Sequence, residues 1–350
     1  LAVAAEFPDL GKQAILMRKY GQEVIARTAG KKIHGTGAIP GGINKNLSPE
    51  ERDFLRKDID QMIEWSKGAV AIARDYTLKN LDLAKEFGSF ESNHVGLVRG
   101  DGALELYDGG VRAIDKDGNT IFDHMDNQKY MDFIAEEVKP WSYMKFPFIK
   151  SLGPEKGWYR VGPLARLNCC DYIDTPLAEE ARKEFKGLTN DKPNNFTLAY
   201  HWARTIEILH VAERIAELLE DPDLQGNDLV VEGERRREAV GIIEAPRGTL
   251  FHHYRINEND QVTMCNLIVS TTSNNEPMNR AVRKVAQKYI SGKKEITEGL
   301  LNHIEVAIRA YDPCLSCATH ALGQMPLIVK LVDCEGNVLD SKTKGAGCTL

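Results

Sequence analysis

Within the 350-residue chain, the segment "RAYDPCLSCATHALGQMPL" (309–327) sets two thiols and an imidazole at C-x2-C-x2-H spacing: Cys314, Cys317 and His320. Several chemistries use such groups. A thioredoxin-like pair wants its C-x-x-C between a strand and a helix of a βαβ unit; here the motif follows a helical pattern and an Asp-Pro break. Attachment of a c-type haem needs histidine directly after the second cysteine, and two residues intervene. Structural zinc needs four ligands; this motif offers three, and the chain holds no second C-x-x-C and no H-x-x-H. The remaining reading is a thiolate site for nickel or iron, completed by other ligands. One thiolate of a C-x2-C pair can bind a metal terminally while the other bridges to a second metal.

The rest of the composition narrows the setting. Seven cysteines, odd in number and irregularly spaced, do not make a secreted disulfide framework. A reducing, cytoplasmic compartment follows. The adjacent Cys169 and Cys170 suit neither a disulfide nor chelation of one metal, and read as structural; Cys265 falls in a strand pattern and reads as core. A net charge of −6 argues against nucleic acid or an anionic membrane as partner. No apolar run reaches the roughly 18 residues of a membrane span. The 42% hydrophobic and 27% charged content suits a folded chain with a sizeable core.

The elements that must position the motif read as mainly α with small β elements. Helical periodicity covers 9–30 and ends at Gly30; "IHGTGAIPGGINKNL" (33–47) is a glycine-rich loop, neither a phosphate loop nor a dinucleotide fingerprint. Ser48-Pro49-Glu50-Glu51 is a capping box that opens a helical stretch to about Phe87, bent near Gly68. Turn signals at "RGDG", "YDGG" and "DKDGN" mark a small antiparallel hairpin insert over 88–123. A helix is predicted near 127–138 and a long amphipathic one over 195–221, where His201 and His210 read as packing residues. Strand patterns surround 241–256 and 261–272, with His252 and His253 also read as packing. Helices resume at about 277–290 and 295–310, the last delivering Asp312-Pro313-Cys314. The tail reads as a β-hairpin with a Glu-Gly-Asn turn.

"DPCLSCATH" resembles the C-terminal signature of the large subunit of nickel–iron hydrogenases. With "IHGTGAIPGGINKNLS" it is most similar to the cytoplasmic, bidirectional NAD-reducing group. The resemblance runs along essentially the whole chain, through "YRVGPLARLN" (159–168), "YHWARTIEILHVAER" (200–214), "EAPRGTL" (244–250) and "IVSTTSNN" (268–275).

The resemblance implies a helical hydrogenase large-subunit core around a Ni–Fe centre whose iron carries CO and CN ligands. It makes Cys314 a terminal nickel ligand and Cys317 the bridge. Arg247 matches the arginine that overhangs the metals and donates to a cyanide. Thr271 matches the hydroxyl donor to the other cyanide, with Thr272 a competing choice. Asp312 matches an outer carboxylate able to hold the Arg247 fork. His320, the backbone carbonyl of Leu267 and an upstream carboxylate would bind Mg2+ or another divalent ion. Residues 1–320 form the body, and 321–350 a propeptide that an endopeptidase removes after nickel insertion, taking Cys334 and Cys348 with it.

Electrons would leave through an iron–sulfur small subunit, and diaphorase subunits with FMN and NAD would complete the complex. The chain itself carries no dinucleotide signature. The family's R-x-C-x-x-C pair and its relay glutamate do not occur in this sequence, which starts at Leu1 rather than Met; an N-terminal segment is therefore expected to be missing. Two other readings stay open: a metal-free structural subunit related to the hydrogenase-like subunit of complex I, and a zinc-stabilised module.

Overall fold

The computed structural model describes residues 7–314 and 326–344. The chain divides into two compact units. One gathers Leu1–Arg74, Thr175–Ala181 and Thr205–Arg236; the other gathers Asp75–Asp174, Arg182–Arg204 and Arg237–Leu350.

In the first unit, helix α1 (Pro8–Ala29) starts on a proline and stops at Gly30, whose φ of 77° lies in the left-handed region that glycine tolerates. The glycine-rich loop folds into two short paired strands, β1 (Ala38–Ile39) and β2 (Gly42–Ile43). Helix α2 (Pro49–Lys79) opens on the expected capping box. The Glu51 amide donates to Ser48 Oγ at 3.2 Å, and the Ser48 amide donates to the Glu51 carboxylate at 3.0 Å. No break occurs at Gly68; the helix runs through to Lys79, and Asn80 separates it from α3 (Leu81–Glu86). A single glycine costs a helix only about 1 kcal/mol, which flanking packing overrides. Tyr20 and Leu47 bury against Leu55, Ile59, Met62 and Leu219, and the Tyr20 hydroxyl donates to the Leu55 carbonyl at 3.0 Å.

The second unit, which starts at Asp75 and includes α3, continues with β3 (Asn93–Val98), β4 (Gly110–Ile114) and β5 (Thr120–Met125). These strands are not a small insert. With a later strand, β8 (Tyr159–Arg160), they form a four-stranded sheet in the order β5-β4-β3-β8. Its Val95, Leu97, Val111 and Ala113 are fully buried in one cluster with Tyr159, Phe251 and Ile268. Residues 94–98 are buried on both faces rather than alternating, as expected of a covered strand.

The helix expected near 127–138 is only a 3-10 turn, Asn127–Lys129, and one α-turn, α4 (Tyr130–Phe133). The chain then extends as β6 (Ile134–Glu137), because Ile134 inserts into the core and pairs with Ile149 of β7 (Phe146–Ile149). Helix α5 (Pro163–Cys169) is buried along its whole length, Cys169 included. Helices α6 (Pro176–Gly187) and α7 (Ala199–Leu218) follow.

A three-stranded sheet then orders β11-β10-β9, from β9 (Glu238–Ala245), β10 (Gly248–Ile256) and β11 (Val262–Ile268). Ala245 faces Gly248, so the β9–β10 connection is the two-residue turn Pro246-Arg247. The short turn α8 (Ser270–Ser273), then α9 (Asn275–Tyr289) and α10 (Glu298–Ala310), lead to Cys314. The tail forms the expected hairpin, β12 (Leu327–Val332) and β13 (Val338–Lys344). The architecture is mainly α with small β elements, but those β elements are not peripheral, since strands line the buried cluster of the second unit. No helix among the described residues is long and apolar enough to cross a membrane.

Candidate active site

Arg247 sits on a turn held from three sides. The Gly248 carbonyl accepts from the Ser270 hydroxyl at 2.6 Å. Gly248 itself has φ +135°, and a Cβ there would meet the Gly162 amide nitrogen at 2.6 Å; a Cβ on Gly162 would meet the Arg247 carbonyl at 2.7 Å. Only glycine at both positions lets the turn touch the start of α5. From within α5, Arg166 donates to the Ala245 carbonyl at 3.0 Å and the Pro246 carbonyl at 3.2 Å. The same guanidinium pairs with Glu244 Oε2 at 2.6 Å, both side chains almost fully buried. The other Glu244 oxygen accepts from Thr249 Oγ1 at 2.6 Å and the Leu97 amide at 3.0 Å. Burial pushes the Glu244 carboxyl up, and these donors pull the other way.

Asp312 arrives from the C-terminal end of α10. Its φ of 50° is left-handed, a conformation that Asp tolerates better than most residues. The turn brings both its carbonyl and its carboxylate to one nitrogen: Arg247 Nε donates to the Asp312 carbonyl and lies 3.3 Å from Oδ2. Among the described residues Asp312 is the partner of the Arg247 side chain, through Nε alone.

Two residues on, the Cys314 amide donates to Thr271 Oγ1 at 3.1 Å. Thr271 is buried at 2% exposure and lies in the helical turn α8, not in a strand. An accepting hydroxyl keeps its own proton to donate. Beneath the site, the Tyr200 hydroxyl donates to the Val161 carbonyl at 2.9 Å, and its ring packs 4.8 Å from that of Tyr311. Burial raises the Tyr200 pKa, so the phenol stays protonated. Arg204 donates to the Ala310 carbonyl at 3.0 Å and caps the helix that carries Asp312.

The structure thus brings Arg247, Asp312, Thr271 and Cys314 together through direct bonds. Cys317 and His320 lie outside the described residues, as does the start of the tail. Leu267 is in β11, which among the described residues pairs with β10 alone. Next to it, Asn266 donates to Glu136 Oε2 at 3.0 Å, while Glu136 Oε1 is buried with no partner among the described residues. Among the described residues, no group of three or more His, Cys, Asp or Glu side chains gathers to hold a metal.

The donor set nonetheless fits a thiolate-bound metal that carries small anionic ligands. Beside the Cys314 segment stand a guanidinium and a hydroxyl. Neither is a zinc ligand, and both can donate hydrogen bonds to small anionic groups.

Of the other cysteines, Cys169 and Cys170 are buried as expected, but Cys265 is exposed. It lies on the edge strand β11, outside the core. His210 is buried against Thr175 Oγ1 at 2.9 Å, and His253 lies between Tyr130 and Glu238. The tie of Arg166 to Glu244 and the use of the Asp312 carbonyl carry no local sequence signal. "PLAR" and "EAPRG" stand out as motifs, yet 78 residues separate the paired side chains.

Residues 106–320 match the family model described as nickel-dependent hydrogenase. The chain is 48% identical over 348 residues to the beta chain of the NAD-reducing hydrogenase HoxS of Cupriavidus necator, covering 96% of this chain and 71% of that protein. It is 43% identical to a chain of the F420-non-reducing hydrogenase of Methanothermobacter thermautotrophicus, covering 96% and 71%. Among solved structures it is similar to an NAD+-reducing [NiFe]-hydrogenase in the H2-reduced state, with a TM-score of 0.88 and 50% identity over 91% of this chain and 70% of that one. The chain belongs to the nickel-dependent hydrogenase family.

Proposed function

We propose that this chain is the catalytic subunit of a nickel–iron hydrogenase. It interconverts H2 with protons and electrons and passes the electrons through an iron–sulfur subunit to NAD+ or a similar carrier. The observation that carries the reading is the convergence of Arg247 and the Cys314 segment, tied by Asp312 and Thr271. The Ni–Fe group supplies the electrophilic metals at which H2 splits heterolytically.

The chain's own residues do the rest. Cys314 and Cys317 would hold the group, and the Cys314 thiolate would be placed to take up a proton. Arg247, its Nε bound to Asp312, would present its remaining guanidinium donors to the cyanide ligands. Thr271 anchors the Cys314 backbone with its oxygen lone pair and keeps its proton for a second acceptor. Thr271 and Tyr200 are buried, so the hydroxyl that holds the Cys314 amide is fixed on the protein side of the site. His320 and the Leu267 carbonyl hold a divalent ion.

Residues 321–350 are a propeptide removed on maturation by an endopeptidase. The complex is cytoplasmic, and its NAD-binding diaphorase part lies on other subunits. The test is to purify the chain with its partner subunits and assay nickel, iron, the infrared stretches of CO and CN, and H2-driven reduction of NAD+. Nickel with those bands and H2-dependent NADH formation are the expected results. Zinc without the bands would make the chain a binding module, and no metal at all would make it a structural subunit. Viologen reduction without NADH formation would overturn the carrier alone.

A further inference from the structure

Arg166 and Glu244 form a buried ion pair beneath the Pro246-Arg247 turn. Buried pairs are weak contributors to net stability, because desolvation offsets the attraction. What this pair does control is direction. Arg166 Nη1 binds Glu244 Oε2 and the Ala245 carbonyl, and Nη2 binds the Pro246 carbonyl. Those are the two carbonyls that immediately precede Arg247. Glu244 is in turn fixed by Thr249 across the same hairpin and by the Leu97 amide of β3. The network therefore ties both arms of the β9–β10 hairpin to α5 and to the buried four-stranded sheet. A lysine in place of Arg166 keeps the charge but cannot fork across a carboxylate and two carbonyls.

We propose that Arg166 and Glu244 are positioning residues for Arg247, setting where its guanidinium leaves the Pro246-Arg247 turn. The inference rests on the reading of Arg247 as a site residue. Loosening the turn moves the guanidinium while Asp312 still holds Nε, so the Nη donors lose their aim and turnover falls without loss of the fold.

The experiment is a double-mutant cycle in the assembled hydrogenase, with Arg166→Lys, Arg247→Lys and both together. It is read by H2-driven viologen reduction and, on the full chain, by amide hydrogen exchange of residues 244–250. Arg166→Lys is expected to lower kcat about 10- to 100-fold and to speed exchange in 244–250 while leaving 93–98 unchanged. In the Arg247→Lys background the same change should cost less than about threefold more, because its effect runs through Arg247. Effects that multiply, or exchange that rises throughout the core, would overturn the positioning role. If Arg247→Lys alone keeps wild-type kcat, the reading of Arg247 fails instead, and the exchange data still judge the turn.

Thr249→Val is the milder variant should Arg166→Lys not fold. It removes one hydrogen bond to Glu244 and should also speed exchange in 244–250 and lower kcat, again only where Arg247 is present. Unchanged exchange in that variant would overturn the proposal.

Discussion

Replacing Thr271 with valine removes a hydroxyl and almost no volume. Thr271 is buried, and its Oγ1 accepts the Cys314 amide at 3.1 Å. Leaving a buried N–H without an acceptor costs about 1–3 kcal/mol. Cys314 is only half-buried, so water repairs part of that loss and the expected cost lies near 1 kcal/mol. If all of it appears as freedom of the Cys314 segment, turnover falls by about fivefold or more. Thr271→Ser is the control. It keeps the oxygen and loses one methyl group, worth about 0.8 kcal/mol of apolar burial. Denaturant unfolding should therefore show similar stability losses for the two variants. H2-driven viologen reduction by the assembled enzyme should separate them, with serine near wild type and valine well below. Equal turnover in the two variants would refute the claim that the hydroxyl anchors Cys314.

Burial pushes the His94 pKa down to about 3 from 6.5, with Arg160 adding to the effect, so His94 folds neutral. A depressed histidine pKa means that the unfolded chain binds the extra proton between those values, so stability is lost as pH falls from about 6.5 toward 3. By pH 5 this one group should cost roughly 2 kcal/mol relative to pH 7; urea unfolding at both pH values should show that share vanish in His94→Gln. Gly248→Ala should abolish folding or cost several kcal/mol, since its Cβ would press on Gly162 at φ +135°; an expression level and melting temperature equal to wild type would refute this packing. Asp340 Oδ2 accepts the Ile296 amide at 2.7 Å just before α10, so Asp340→Ala should speed limited proteolysis between 327 and 344 in the full chain while leaving 93–98 protected. Unchanged cleavage would show that this bond does not hold the tail hairpin.

Much is legible in the sequence because it is written locally. The helix starts and stops at Ser48, Pro49 and Gly30 follow from backbone chemistry within a few residues. The C-x2-C-x2-H motif announces thiolate chemistry through the residue types alone, and the Asp312-Pro313 break predicts where α10 ends. The tail hairpin declares itself through its Glu-Gly-Asn turn. Other features depend on partners far away in sequence. The pattern near 127–138 predicts a helix, but Ile134 pairs with Ile149 and the segment extends. Cys265 has a core-like pattern, yet nothing among the described residues pairs with the outer side of β11. The segment 88–123 reads as a separable hairpin until a parallel partner, β8, and the buried cluster around Phe251 cover it. The candidate site belongs to the same class. Local pattern names Arg247, Thr271, Asp312 and Cys314 as candidates. Only the tertiary fold brings the Asp312 carbonyl and carboxylate to one Arg247 nitrogen, and only it sets Arg166 beneath the turn. Hydrogen bonds between residues 43 to 80 positions apart leave no periodic trace, because distance along the chain carries no information about which buried donor meets which acceptor.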